Sequence, residues 1–309
     1  MAFDVSALTN YVDQEAMALI VESVAGGQLS KYAQIQPDVK GPTSINVLDT
    51  DVVLQDDGCS RSADGTTTIS QRTITPNALA VHEDLCMTDL AAKYTATMLK
   101  QGLTNEKEEI PFAELYFGLK IAKIQKQIEV LDWTGTVGAG SYAGLMAQHT
   151  AVVDVASPTA GIQTASIIIE SLSFLAESMD EDIADADDIK IFLGMDLFLM
   201  YQRAIADGNY FHYVVDGQPG NELPLIGFPQ VTVVGTVGLS GLNSAVVGDP
   251  IAYLTRASNI IIGVDLPDEE ANDYRAWYDP NDRIFKTTFA FRRGINWAFP
   301  AEACKLKIS

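Results

Sequence analysis

The chain has 309 residues, 47% of them hydrophobic, which is enough to bury the core of one large domain or about two. Its 41 acidic and 20 basic residues leave a formal net charge of −21, and a surface of that sign argues against sequence-specific nucleic-acid binding, which relies on a basic patch. No apolar run reaches the ~20 residues of a membrane span, and the start Met1-Ala2-Phe3-Asp4 lacks the basic region of a secretory signal.

Residues 6–24 have helical periodicity, with Leu8, Val12, Ala16, Leu19 and Ile20 on one face and Gly26-Gly27 as the stop. After Pro37 and Pro42, Ile45, Val47, Val52 and Val53 begin an extended stretch that runs to Asp56-Asp57-Gly58. A polar tip from Cys59 to Gly65 follows, then strand formers from Thr66 to Thr75 with hardly any apolar content. The pair predicts a long two-stranded ribbon whose second strand is polar on both faces. Such a ribbon buries too little to stand alone. It lies on its own domain or on something else.

A long helix is expected from about Asn105, regular from Ile110 or Pro111, since proline is tolerated in a first turn. Phe117, Ile121, Ile124, Ile128 and Leu131 form its apolar stripe, and Gly135 is the expected cap. Lys120, Lys123 and Lys126 fit an exposed face or a subunit contact.

Residues 145–265 alternate helices and strands, as in a compact mixed unit. A helix after Ser157-Pro158 carries Ile162, Ala165, Ile168, Leu172, Leu175 and Met179. A strand from Asp188 to Leu193 leads to a helix with Asp196 as N-cap and Gly208 as stop. Past a loop with Pro219, Gly220 and Pro224, strands follow at Val231–Val234 and Ala245–Val247. Near the end, Tyr274, Ala276 and Tyr278 lead into the turn Asp279-Pro280-Asn281-Asp282. The returning strand sets Phe285, Phe289 and Phe291 on one face, interrupted by Arg283, Thr287 and Arg293. Gly294 precedes a separate short strand through Trp297 and Phe299.

Motifs for chemistry are lacking. His82, His149 and His212 share no acid or nucleophile pattern, and Gly138-Ala-Gly-Ser-Tyr-Ala-Gly144 has the wrong spacing for a dinucleotide fingerprint and reads as a flexible loop. The run Asp180–Asp188 lacks the ligands and glycine of a calcium loop and reads as solvated. His82 and Cys86 could share a helix face, but no second pair completes a zinc site. Cys59, Cys86 and Cys304 are too scattered for a disulfide framework, so reducing cytoplasm is the expected place of synthesis. No catalytic residue, metal or cofactor is expected, and the chain is not read as an enzyme.

The order of elements resembles the major capsid protein of tailed phages, with its α+β, Hong Kong 97-type fold, over residues 30–305. Local segments are also similar: Pro111-Phe-Ala-Glu-Leu-Tyr116, Trp133-Thr-Gly135 followed by Gly144-Leu145, Asp188-Ile-Lys-Ile-Phe-Leu-Gly194, Asn259-Ile-Ile-Ile-Gly-Val-Asp265 and Trp297-Ala-Phe-Pro300. The resemblance implies an N-terminal arm over 1–40, an extended E-loop over 41–86 and a P domain with its spine helix over 87–145. It further implies an inserted A domain over 146–255 and P-domain C-terminal strands over 256–309.

The implied function is self-assembly through hexamers and pentamers into the icosahedral head of a double-stranded DNA phage; the alternative is an encapsulin-like compartment. The implied partners are further copies of the chain, a separate scaffold (little precedes the arm), a portal and a decoration protein. The shell would enclose DNA without reading its sequence, touch no membrane, and assemble in the host bacterial cytoplasm. Cys59, Arg61 and Asp64 at the ribbon tip, with Arg72, are the candidate intersubunit contacts.

Overall fold

A computed structural model describes residues 27–50, 52–54, 65–86, 109–158, 163–210, 220–242, 250–265, 274–282 and 284–307. The expected helix over 6–24 and the strand at Ala245–Val247 lie outside them. The described strands are β1 (Gln34–Gln36), β2 (Thr43–Thr50), β3 (Thr67–Ile74), β4 (Asn77–Cys86), β5 (Val153–Ala156), β6 (Ile189–Gly194), β7 (Glu222–Leu225), β8 (Phe228–Thr236), β9 (Pro250–Arg256), β10 (Ile260–Asp265), β11 (Tyr274–Asp279), β12 (Ile284–Trp297) and β13 (Cys304–Lys307). The helices are α1 (Glu109–Thr134), α2 (Ile168–Glu177) and α3 (Met195–Asp207).

This is a mixed α+β chain with two main sheets and a separate ribbon. The five-stranded sheet has the order β1-β10-β12-β11, with β4 also paired to β12. The six-stranded sheet has the order β5-β13-β9-β6-β8-β7. Strand β12 is the organiser of the first sheet. Its 14 residues pair along one edge with β4, and along the other with β11 and then β10. The sequence reading split this strand at Gly294. The strand runs through it because the chain crosses there: a Cβ at 294 would press on Thr75 O and Pro76.

Helix α1 is 26 residues, about 39 Å at 1.5 Å per residue. Phe117, Ile121, Ile124 and Ile128 are buried as their spacing predicts, and they pack with Phe285, Phe289 and Phe291 of β12. The helix ends at Gly135, though not by left-handed geometry. The Gly135 N–H donates to Leu131 O, and the backbones of Leu131 and Tyr142 leave no room for a Cβ. The second core lies between α2, α3 and the six-stranded sheet, around Leu172, Leu175, Ile191, Phe198 and Val233. The cores are joined by aromatic rings: Trp133 lies 5.4 Å from Phe192 and 5.5 Å from Tyr253, which lies 5.9 Å from Trp297.

Several expectations need correction. Asp196 is not the N-cap of α3; Gly194 holds that place, and Ser240 Oγ accepts the Met195 N–H while Asp196 accepts from Gly241. Pro224 belongs to β7 rather than to a loop, and it is tolerated because β7 is an edge strand. Gly208 does stop α3, but the left-handed residue is Asn209, at φ 57°. Of the helix expected from Ile162 to Met179, Ile162 lies outside the described residues, and the described part is α-helical over Ile168–Glu177. The last described strand, β13, pairs with β5 and β9 in the six-stranded sheet.

Candidate intersubunit interface

Strands β2 and β3 pair in full antiparallel register from Thr43↔Ile74 to Thr50↔Thr67. Among the described residues the base of this ribbon is anchored to the body, and Val47, further along β2, is buried as well. At the base Ile74 packs with Ile261 and Ala298, and Ile45 and Phe299 close the cluster. The Asn296 side chain donates to Thr73 O at 2.9 Å, and Arg292 donates to Lys40 O at 2.6 Å. Further out, Thr67 to Gln71 are exposed in unbroken succession, so both faces of β3 are free. Opposite residues of an antiparallel pair share a face. Leu48 and Ile69 are such a pair, 61% and 73% exposed. Val52, Val53 and Leu54 continue the apolar character toward the tip, also exposed. Beside the Leu48–Ile69 pair, Gln71 Nε2 donates to Asn46 Oδ1 at 3.0 Å. The outer ribbon therefore carries an apolar pair, one member of it on the strand expected to be polar on both faces.

Beneath the base, α1 is pinned to β12 by polar groups set among the apolar ones. Asp132 and Arg293 are both wholly buried: Arg293 Nε donates to Asp132 Oδ1 at 2.9 Å and Nη2 to Oδ2 at 2.6 Å. Tyr142 Oη donates to Asp132 Oδ1 at 2.5 Å, and Arg293 Nη2 donates to Ser30 Oγ at 2.9 Å. Burial opposes charge on Arg293, but the adjacent Asp132 carboxylate outweighs it and raises the guanidinium pKa. Burial, reinforced by Asp132, keeps Tyr142 protonated.

Lys120 is the second pin. It donates to Thr287 Oγ1 at 2.5 Å, pairs with Glu83 of β4 at 2.8 Å and lies 4.6 Å from the Phe289 ring centroid. Burial lowers its pKa, partly offset by Glu83. Burial also pushes Glu83 up, but hydrogen bonds from Lys120 and Tyr116 more than compensate and leave its pKa lowered. Thr287 and Arg293, which interrupt the phenylalanine face of β12 in the sequence, are thus where that face receives the polar groups of α1.

A third pin ties α1 to the other unit. Glu129 accepts the Val237 N–H at 3.0 Å and backbone hydrogen bonds from Gln28 and Gly238. The segment around Gln28 reaches further, since Tyr32 Oη donates to Glu222 of β7 and its ring lies under Lys190 Nζ at 4.7 Å.

Of the expected contact residues, Cys59, Arg61 and Asp64 lie outside the described residues, and so does Arg283. Arg72 is half-buried on β3 opposite Ile45. Of the lysines expected to form an exposed face or a subunit contact, Lys120 is instead buried against its own chain, whereas Lys123 and Lys126 are exposed. His82 sits on strand β4, not on a helix, with Nδ1 3.1 Å from Thr288 Oγ1. His149 Nδ1 is 2.7 Å from Tyr253 Oη, and His212 lies outside the described residues. The glycine-rich loop is anchored by buried Tyr142 rather than free. Among the described residues no group of three or more His, Cys, Asp or Glu is arranged to hold a metal ion, and no helix is long and apolar enough to cross a membrane.

No family model and no curated protein matches the sequence. Solved structures match along most of the chain. The capsid of an empty GTA particle, computed with C5 symmetry, aligns at 15% identity and TM-score 0.58, covering 92% of this chain and 90% of that one. The capsid of Myoviridae phage XM1 aligns at 11% identity and TM-score 0.55, covering 91% and 90%. The satellite phage P4 procapsid, which includes a size determination (Sid) protein, aligns at 9% identity and TM-score 0.52, covering 95% and 98%. The chain has the fold of these phage capsid proteins.

Proposed function

We propose that this chain is the major capsid protein of a double-stranded DNA tailed phage and that it assembles, through hexamers and pentamers, into an icosahedral head. The observation that carries this reading is the outer ribbon, which presents Leu48 and Ile69 side by side, 61% and 73% exposed, with none of the described residues over them. Exposed apolar pairs on a projecting two-stranded ribbon are stabilised when another surface covers them. A neighbouring copy supplies that surface in a shell. In this reading β2 and β3 form the E-loop, α1 is the spine of the P domain, and α2, α3 and the six-stranded sheet make up most of the A domain. The acidic charge keeps a shell wall from adhering to enclosed DNA. A separate scaffold and a portal are the proposed partners of such a head, a decoration protein is an optional further one, and the host cytoplasm is the proposed place of assembly.

An encapsulin-like compartment is the second reading, and the phage and GTA shells among the neighbours favour the phage head over it. The role is structural, not enzymatic. Negative-stain electron microscopy of the purified chain tests the proposal. Closed shells, or rings of five and six copies that grow into them, are expected; a monomer that stays dispersed at high concentration and with scaffold present contradicts it.

A further inference from the structure

Helix α1 and strand β4 leave an open apolar groove of about 600 Å³, lined by Leu79, Val81, Leu119, Ile124, Gln127 and Leu131. Leu119 is 61% exposed although it sits on a helix whose other face is core. Lys123 stands on the groove's rim and Lys126 lies one turn on; both are exposed, and neither makes an ion pair among the described residues.

Residues 1–26 precede the described body. They contain four acids, Asp4, Asp13, Glu15 and Glu22, and no lysine or arginine. Their helical periodicity puts Leu8, Val12, Ala16, Leu19 and Ile20 on one face, and Glu15 and Glu22, seven apart, run along one flank of it. The segment enters the described structure at this same helix, because Gln28 makes a backbone hydrogen bond to Glu129. A helix over 6–24 is about 28 Å long, and the groove spans Tyr116 to Leu131, about 22 Å of α1. At 3.6 residues per turn, Lys126, Leu119 and Lys123 lie between Glu129 and the groove-lining residues on the exposed side of α1.

We propose that residues 6–24 dock as an amphipathic helix on this face of their own chain. Leu19 and Ile20 enter the groove beside Leu119, and Glu15 and Glu22 meet Lys123 and Lys126. Docking covers the exposed leucine and complements the lysines with a segment that carries acids and no bases. It also leaves the N-terminal segment stored against the body of the unassembled chain, so that it must be released before it can reach anything else.

Amide hydrogen exchange on the full, unassembled chain tests this. Amides in 6–24 are expected to exchange at least tenfold slower than in the free peptide, at a rate independent of protein concentration. Leu119→Asp, which changes an exposed residue and leaves the core intact, abolishes that protection. Lys123→Glu/Lys126→Glu weakens it severalfold, and adding Glu15→Lys/Glu22→Lys restores it. Four results overturn the proposal: no protection in the parent chain, protection that Leu119→Asp leaves unchanged, protection that grows with concentration (a second copy as the donor), or an effect of Leu119→Asp confined to residues 87–108, which would make that segment the occupant.

Discussion

Arg293 on β12 and Asp132 near the end of α1 meet through two hydrogen bonds, at 2.9 and 2.6 Å, with neither side chain touching solvent. They lie 161 residues apart in the chain and fix where the long helix ends against the central strand. A buried pair of this kind contributes little net stability relative to apolar residues of the same shape, but removing one partner strands a charge. Arg293→Met alone is therefore expected to cost ~3–5 kcal/mol. The triple variant Asp132→Leu/Arg293→Met/Tyr142→Phe, which also removes the hydroxyl left with only the 3.5 Å contact to Ile128 O, recovers most of that loss. Urea unfolding of the three proteins checks it; a triple variant less stable than Arg293→Met would show that the pair does not act as a unit.

Glu129 gives the chain a specific pH dependence. Burial raises its carboxyl pKa above the ordinary 4.5, with Asp132 adding to the effect and the backbone N–H groups of Val237, Gln28 and Gly238 opposing it. The native state therefore holds a proton that the unfolded chain releases. The resulting stabilisation is complete below the unfolded value and is lost as pH rises through the raised folded value. Glu129→Gln keeps an acceptor for Val237 and removes the titration. The variant is expected to gain stability relative to the parent as pH rises from 4.5 toward neutrality, and to match it more closely in acid. Denaturant midpoints measured across that interval decide the point, and a gap between the two proteins that stays constant with pH speaks against it.

Gly238, just after β8, packs directly against α1. A Cβ there would collide with Glu129 O and Trp133 Cδ1, neither of which is free to move. Gly238→Ala is expected to cost ~1–3 kcal/mol through overpacking, whereas Gly220→Ala, where a Cβ meets nothing within 4 Å, is expected to be close to neutral. Thermal unfolding of both variants makes the comparison.

Much of this architecture is legible in the sequence because it rests on periodicity. The stripe Phe117–Ile121–Ile124–Ile128, the ribbon strands and the alternating phenylalanines of β12 are local patterns, and each forms the element its spacing predicts. The pins are not legible in that way. Lys120, Glu129 and Asp132 look like ordinary surface charges on a helix, and only their long-range partners Thr287, Val237 and Arg293 make them interior. One clue was present: polar residues at Thr287 and Arg293 interrupt an otherwise apolar strand face, which marks where polar groups arrive from another element. The same limit explains Pro224 and β13, whose strand pairing is set by sheet edges that no local pattern reveals. The apolar pair Leu48–Ile69 is visible only once the register between β2 and β3 is known.

The central claim is that the outer ribbon is covered by a neighbouring copy. Sedimentation velocity on the parent chain and on Leu48→Asp/Ile69→Asp tests it most directly. Both residues are exposed, so the double variant is expected to stay folded, within about 0.5 kcal/mol of the parent. The parent should sediment as capsomers and shells, and the variant as folded subunits that do not close into shells. A variant that builds shells as readily as the parent would contradict the account.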